Sequence, residues 1–197
     1  MRPSFDVYMM RIAYMAATRA TCLRKHVGAV IVDYDHRIVS TGYNGAPRNL
    51  PSCDEIGCLL IEGHCTRTTH AESNCIDYAG RAAIGCTIFC TVTPCWDCAK
   101  RIVNAGINKV IYDEHYDSRY GLSTDVPAYL GAAGVEVHRL AEGTMDRFKR
   151  FMTMLDVPDD STTGPTPKIA PDSCAAHRFD ESNHCVVCGI SLIAAHA

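Results

Sequence analysis

Two short segments of this chain carry residues able to hold and use a metal ion. In THAESN, residues 69–74, His70 and Glu72 lie two positions apart; in TPCWDC, residues 93–98, Cys95 and Cys98 form a CxxC directly after Pro94. An isolated HxE pair arises often by chance, and a solvated histidine is its ordinary reading. The CxxC changes that weighting, because catalytic zinc sites take three protein ligands and keep a fourth position for water, whereas structural sites close all four. His70, Cys95 and Cys98 supply three ligands, two of them thiolates, and zinc so held brings the pKa of a water toward roughly 7. Glu72 sits in the same helical turn as the histidine and reaches the water without binding the metal. It is the candidate proton carrier, a general acid and base.

These residues need elements to hold them. The N-terminal segment has apolar residues at helical spacing, Phe5, Tyr8, Met9, Ile12, Met15 and Ala16, interrupted by Asp6 and Arg11, so it reads as an amphipathic helix and neither a signal peptide nor a membrane span. A hairpin follows, with strands at 27–32 and 37–41 around a turn at 33–36. The stretch 42–69 reads as a long loop rich in Gly, Pro and Cys, which implies function or an internal tie. Then come the His70 helix, a strand at 86–93, the Cys95 helix and a strand at 109–115. A short helix closed by Gly134 leads to a fifth strand, VEVHRL, and a last helix covers 144–155. Alternating helices and strands argue α/β, and the helical crossover between the last two strands requires them to run parallel.

With 197 residues, the chain accommodates one domain with a full core and a small appendage. We expect a main domain over 1–156, a linker over 157–173 whose four prolines and many Ser, Thr and Asp bury little apolar area, and a tail over 174–197. The balance of 19 Lys and Arg against 22 Asp and Glu, net −3, gives no general field for a polyanion, so nucleic acid is not the expected partner. Twelve cysteines with no export signal point to the cytoplasm and to metal ligands or core thiols.

The HxE and PCxxC pair is the arrangement found in zinc base deaminases. HAESN followed by TPCWDCAKRIVNAGINKVIY, together with CLRKHVGAVIVDYDHRIVSTGYNGAP upstream, resembles the cytidine and deoxycytidylate deaminase superfamily over roughly residues 5–140. The helix between the last two strands is similar to the deoxycytidylate branch. The resemblance implies a three-layer α/β/α fold with a five-stranded mixed sheet, and hydrolysis of dCMP to dUMP and ammonia, which supplies dUMP for dTMP synthesis. It also implies activation by dCTP and inhibition by dTTP, Mg2+ accompanying the regulatory nucleotide, and a homohexamer. On the same resemblance Gly42, Tyr43, Asn44 and Gly45 lie beside the substrate sugar and near an allosteric nucleotide site, with Asn44 on the deoxyribose hydroxyl. The other reading of Asn44 and Gly45 is a pair of positive-φ turn positions. Candidates for a 5′-phosphate are Arg24, Lys25, Tyr116 and Arg81, the last placed on the active-site helix. Backbone amides near Ala71 are candidates for the ring oxygen. Competing functions are deamination of a cytosine or adenine base in RNA or DNA, and a non-enzymatic zinc-stapled binding module, which would have no need of Glu72.

Other cysteines fall into groups. Cys22, Cys53, Cys58 and Cys65 lie in or beside the long loop; some members of the resembled family carry a second zinc here, and four thiolates would close it as a structural site. His64 is a competing ligand, and four free thiols are the alternative. In the tail, Cys174, His177, Cys185 and Cys188 form CxxH followed by CxxC, a zinc knuckle in which the metal would supply roughly 10 kcal/mol of folding free energy. His184 competes there, and free cysteines are again the alternative. Cys75, Cys86 and Cys90 read as small core residues.

Overall fold

The computed structural model describes residues 2–116 and 125–155. The expected linker and the tail ligands Cys174, His177, Cys185 and Cys188 lie outside the described residues. The chain runs α1 (Phe5–Ala17), β1 (Gly28–Val32), β2 (Ile38–Tyr43), α2 (Cys53–Ile56), β3 (Leu60–Ile61), β4 (His64–Cys65), α3 (Ala71–Ala79), a 3-10 turn (Gly80–Ala83), β5 (Thr87–Val92), α4 (Trp96–Asn104), β6 (Lys109–Glu114), α5 (Asp125–Ala132), β7 (Glu136–Arg139) and α6 (Asp146–Leu155). The stretch 42–69 is therefore less irregular than its composition indicates, since it contains a helical turn and a small antiparallel hairpin.

Five strands form one mixed sheet in the order β2-β1-β5-β6-β7. β1 pairs antiparallel with both β2 and β5, whereas β5, β6 and β7 run parallel. The parallel block includes β5 because α4 carries the chain back across the sheet between β5 and β6, as α5 does between β6 and β7. Strand alternation then divides the core in two. Val30, Val32, Phe89 and Ile111 pack with α1 residues Met9, Met10 and Ala13 and with Met145 and Phe148 at α6. On the opposite face Ala29, Ile31, Ile88, Cys90, Val110 and Tyr112 meet Ala71 and Cys75 of α3, Ala99 and Ile102 of α4, and Val126 and Leu130 of α5. This is a three-layer α/β/α arrangement; β1, buried along its whole length, reads as an apolar run because helices cover both its faces. Cys75, Cys86 and Cys90 are all buried.

The buried stripe of α1 differs from the one its hydrophobicity suggests. Met9, Met10, Ala13 and Ala17 face the sheet, while Tyr8 and Met15 are exposed. The face is small at Ala13 and Ala17 because there α1 lies against Gly28, where a side-chain carbon would overlap the Ala13 carbonyl oxygen and stand 2.7 Å from Ala17 N. On the other face, β2 approaches α3 at Gly42, where a Cβ would meet the Ala71 carbonyl and come within 2.6 Å of Cys75 N. Ser40 ties the same two elements, donating to the Cys75 carbonyl at 2.7 Å. No helix among the described residues is long and apolar enough to cross a membrane.

Gly42 thus sets the distance between the sheet and the helix that begins at His70. Gly42→Ala is expected to destabilise the fold by about 2–3 kcal/mol, since backbone and not a mobile side chain stands in the way. Denaturant unfolding checks this, and a midpoint unchanged from the parent would show that the helix yields.

Candidate metal centre and cavity

Both ligand segments begin helices. His70 is the N-cap of α3 and Cys95 the N-cap of α4, each in extended conformation. The cap position turns the chain out of the loop and places the next side chains, Glu72 and Cys98, one helical turn or less away. β5 ends at Val92 and delivers Pro94 and Cys95 to the sheet edge, so the two helix starts converge beside the carboxyl end of a parallel strand, the usual place for a ligand in α/β sheets.

The side chains meet accordingly. His70 Nδ1 lies 3.3 Å from Cys95 Sγ and 3.4 Å from Cys98 Sγ, and all three ligand atoms fall within 4.8 Å of one another. Tetrahedral bonds to zinc at ordinary lengths separate nitrogen and sulfur by about 3.5 Å, so the donor set fits that ion. Hydrogen bonding from Cys98 and from His70 lowers the pKa of Cys95, outweighing burial, and so favours the thiolate form that a metal requires at this position. His70 is pushed up to about 9 by its hydrogen bond with Cys95, against burial, with help from the charge of Glu72. A thiolate at a helix N-terminus is further favoured by the free N–H groups there. Ser73 Oγ stands 3.8 Å from Cys98 Sγ and orients it.

Glu72 is 3% exposed and lines the same cavity. Burial raises its carboxyl pKa above the usual range, opposed by the charge of His70. A carboxyl so placed holds a proton more readily than a solvated one, as a proton carrier must. Ala71, the first residue of α3, also lines the cavity, and amides of a first helical turn have no intrahelical acceptor.

The cavity continues from these residues past Val27, Asn44, Thr68, Val92 and Thr93 to a mouth formed by Arg24, Lys25, His64 and Tyr116. Three of the four phosphate candidates are therefore together. Arg81 is not: α3 ends at Ala79, Gly80 turns the chain with φ 54°, and Arg81 is exposed on the 3-10 turn, away from the cavity lining. The expectation that it lies on the active-site helix is corrected by that early stop. Asn44 and Gly45 are not positive-φ turn residues. Asn44 lines the cavity while its Oδ1 accepts from Val27 N and its Nδ2 donates to the Lys25 carbonyl, both at 2.8 Å.

Near the mouth, the sulfurs of Cys22, Cys53, Cys58 and Cys65 also lie within 4.8 Å of one another, with Cys22 and Cys58 at 4.0 Å and Cys53 and Cys65 at 3.5 Å. A tetrahedral four-thiolate zinc site separates sulfurs by about 3.8 Å. The cluster assembles without His64, which points its ring at Arg24 instead, Nδ1 to Nη1 at 3.2 Å. The residues least legible in the sequence are Thr68, Thr93 and Ser73, and His64 in its place at the mouth; none stands at a diagnostic spacing.

Comparison with known proteins gives a family. The family model described as the cytidine and deoxycytidylate deaminase zinc-binding region matches residues 3–114. The deoxycytidylate deaminase of Saccharomyces cerevisiae is 40% identical over 124 residues, covering 59% of this chain and 39% of that protein. That of Enterobacteria phage T2 is 30% identical over 184 residues, covering 73% and 96%. Among solved structures, the dCMP deaminase of cyanophage S-TIM5 in complex with dCMP and dUMP is 32% identical with a TM-score of 0.59, covering 71% of this chain and 99% of that one. The chain thus spans about two fifths of the yeast relative's length.

Cys98 is the most enclosed of the three ligand positions. Cys98→Ser is expected to lose tightly bound zinc at this centre while Glu72→Ala retains it, as measured by metal analysis after dialysis; equal zinc loss in both variants would make Glu72 a ligand.

Proposed function

The chain belongs to the cytidine and deoxycytidylate deaminase family, and from that premise we propose that it hydrolyses dCMP to dUMP and ammonia. The observation that carries the reading is a buried carboxyl, Glu72, in one cavity with the three-ligand set His70, Cys95 and Cys98 and a cationic mouth. Zinc bound there would supply Lewis acidity that makes a water acidic near neutral pH. Glu72 accepts the proton as the water adds to C4 of the pyrimidine and passes it to ring N3; it then takes the proton of the new C4 hydroxyl and gives it to the amino group, so that the C–N bond breaks, the C4 carbonyl forms and ammonia leaves. Amides at the start of α3 are positioned to donate to the ring oxygen as charge moves onto it. Asn44 fixes the backbone of Lys25 and Val27, and its remaining donor and acceptor capacity is available to the deoxyribose hydroxyl. A binding module with a closed metal site would have no use for a buried proton carrier, which is why the enzyme reading is preferred.

The proposal includes a structural zinc in the four-thiolate cluster and a further one in the tail at Cys174, His177, Cys185 and Cys188. The support is the sulfur geometry in the first case and the CxxH and CxxC spacing in the second. Activation by dCTP, inhibition by dTTP, Mg2+ with the regulatory nucleotide and a hexamer rest on the family resemblance around Gly42 to Gly45, of which Tyr43 is the exposed side chain.

The test is ultraviolet-monitored conversion of dCMP by zinc-replete protein, with and without Mg·dCTP. Glu72→Ala is expected to lose on the order of 10²- to 10⁴-fold in kcat with zinc retained. No turnover by folded, zinc-loaded parent would overturn the substrate and direct the assay to bases in polynucleotides. For the structural metals, Cys58→Ser and Cys185→Ser should each lower zinc content by about one equivalent.

A further inference from the structure

The cavity mouth is built from three separate stretches of chain, and two of them are tied at the same cluster of sulfurs. Arg24 follows Cys22 by two residues; His64 immediately precedes Cys65, on the β3–β4 hairpin. Cys22 and Cys65 themselves line the cavity. The third stretch is the segment after β6, which brings Tyr116. Arg24 Nη1 sits between the other two, 3.2 Å from His64 Nδ1 and 3.1 Å from the Tyr116 hydroxyl. Lys25 Nζ lies 5.2 Å from the centre of the Tyr116 ring and 3.5 Å from Glu114 Oε2. A guanidinium, an imidazole, a phenol and an ammonium thus converge in a cavity whose lining also includes the metal ligands His70 and Cys95 and the carboxyl of Glu72. The only acidic side chain lining the cavity besides Glu72, among the described residues, is Asp97 in the first turn of α4, beside the metal ligands.

We propose that Arg24, His64 and Tyr116 form a clamp for a terminal phosphate monoester, and that the four-cysteine cluster is the clasp that sets this clamp by tying the Arg24 segment to the His64 hairpin. This rests on the deaminase reading and deepens it. His64 becomes a specificity residue, and Cys22 and Cys65 become positioning residues acting through their neighbours. The physical argument is that β3 and β4 are each two residues long, with Leu60 and Ile61 exposed. So short a ladder, without a buried face, does not hold a side chain in place unaided. Cross-linking at the cluster supplies that rigidity, and a clamp held in geometry loses less freedom when the phosphate arrives. Bonds to a phosphate far from the reacting carbon are the same in ground and transition states, so their loss appears in KM and not in kcat.

The experiment measures steady-state kinetics with dCMP and with deoxycytidine, zinc content, and calorimetric binding of inorganic phosphate, for the parent, His64→Ala, Arg24→Ala, Cys58→Ser and, as a control outside the cavity, Arg81→Ala. The expected result is a rise of about 10- to 100-fold in KM for dCMP in His64→Ala and Arg24→Ala, the range for one charge-assisted hydrogen bond. Preference for dCMP over deoxycytidine should fall by a similar factor, and Arg81→Ala should leave it unchanged. Cys58→Ser, whose side chain does not line the cavity, should reproduce the rise in KM together with its lost zinc equivalent. His64→Gln, which keeps a donor, should recover part of the affinity. Equal losses on dCMP and deoxycytidine, or losses confined to kcat, would overturn the clamp. A normal KM in zinc-depleted Cys58→Ser would overturn the clasp. If the zinc-loaded parent turns over neither substrate, the deaminase reading fails. Phosphate binding then decides the clamp by itself: loss of binding in His64→Ala upholds it, and parent-like binding refutes it.

Discussion

The structure depends on two helix N-termini meeting at one edge of the sheet. α3 starts at His70 and α4 at Cys95, and the arrangement is workable only because both caps face the space beyond the end of β5. Electrostatics make this convergence favourable for a specific kind of occupant. Two sets of free amides and two helix dipoles point at the same place, which suits thiolates and disfavours a bare cation without them. Glu72, carried into the interior by α3, is the expensive part: a buried carboxyl adds a desolvation cost that His70 offsets only in part. A fold that maintains such a group has to hold α3 firmly. Gly42 and Ser40 on β2 do so on one side, and Asn74 donating to the Tyr43 carbonyl at 2.8 Å does so near the cavity.

Support for the mouth comes from further away. Glu114, at the end of β6, accepts from Lys25 at 3.5 Å and from Lys149 of α6 at 2.8 Å, while Lys149 also reaches Asp113 at 2.6 Å and Tyr14 of α1 donates to Asp113 at 2.6 Å. Burial works against the charge on Glu114, yet the hydrogen bond and charge of Lys149 outweigh it, and its pKa falls below the usual carboxylate value. Lys149 is moved the other way: the two carboxylates overcome its desolvation and raise it. The helical layer formed by α1 and α6 is in this way connected to Lys25, on the far side of the sheet edge. Lys25 in turn lies between Glu114 and the face of the Tyr116 ring.

How much of this was legible in the sequence follows from how local each feature is. His70 with Glu72, and Cys95 with Cys98, are fixed by spacing within one turn of helix, so their coming together could be read directly. The five strands and the crossover helices were legible too, since each carries its own period and punctuation. What failed was whatever depends on where two distant segments approach. Which residues of α1 meet the sheet was not legible, because Gly28, outside the helix, decides which face can come close. Arg81 was placed on α3 because nothing in its type shows that Gly80 ends the helix first. The bracing of Lys25 and Val27 by Asn44, expected at the substrate sugar with a turn role as the other reading, becomes visible only when β1 and β2 are paired. His64 offers the sharpest case: adjacency to Cys65 suggested a metal ligand, but its ring meets Arg24 while the neighbouring sulfur meets Cys53, and both residues line the cavity.

The local grouping of Arg24, Lys25 and His64 also explains how an acidic chain can favour a phosphate. The net charge of −3 is spread over the whole molecule, and at physiological ionic strength charges farther apart than about 8 Å are largely screened from one another. A phosphate entering the cavity therefore responds to Arg24, Lys25 and the donors beside them much more than to the overall balance. A polynucleotide is in the opposite situation: it must lie along a surface many screening lengths long, where the acidic excess of the chain is felt. Local cations in a cleft of an acidic protein thus select for a small anion with one end to bury. The same argument gives the clasp its value, because a receptor of so few charges gains selectivity only if those charges are held at the separation of one phosphate group.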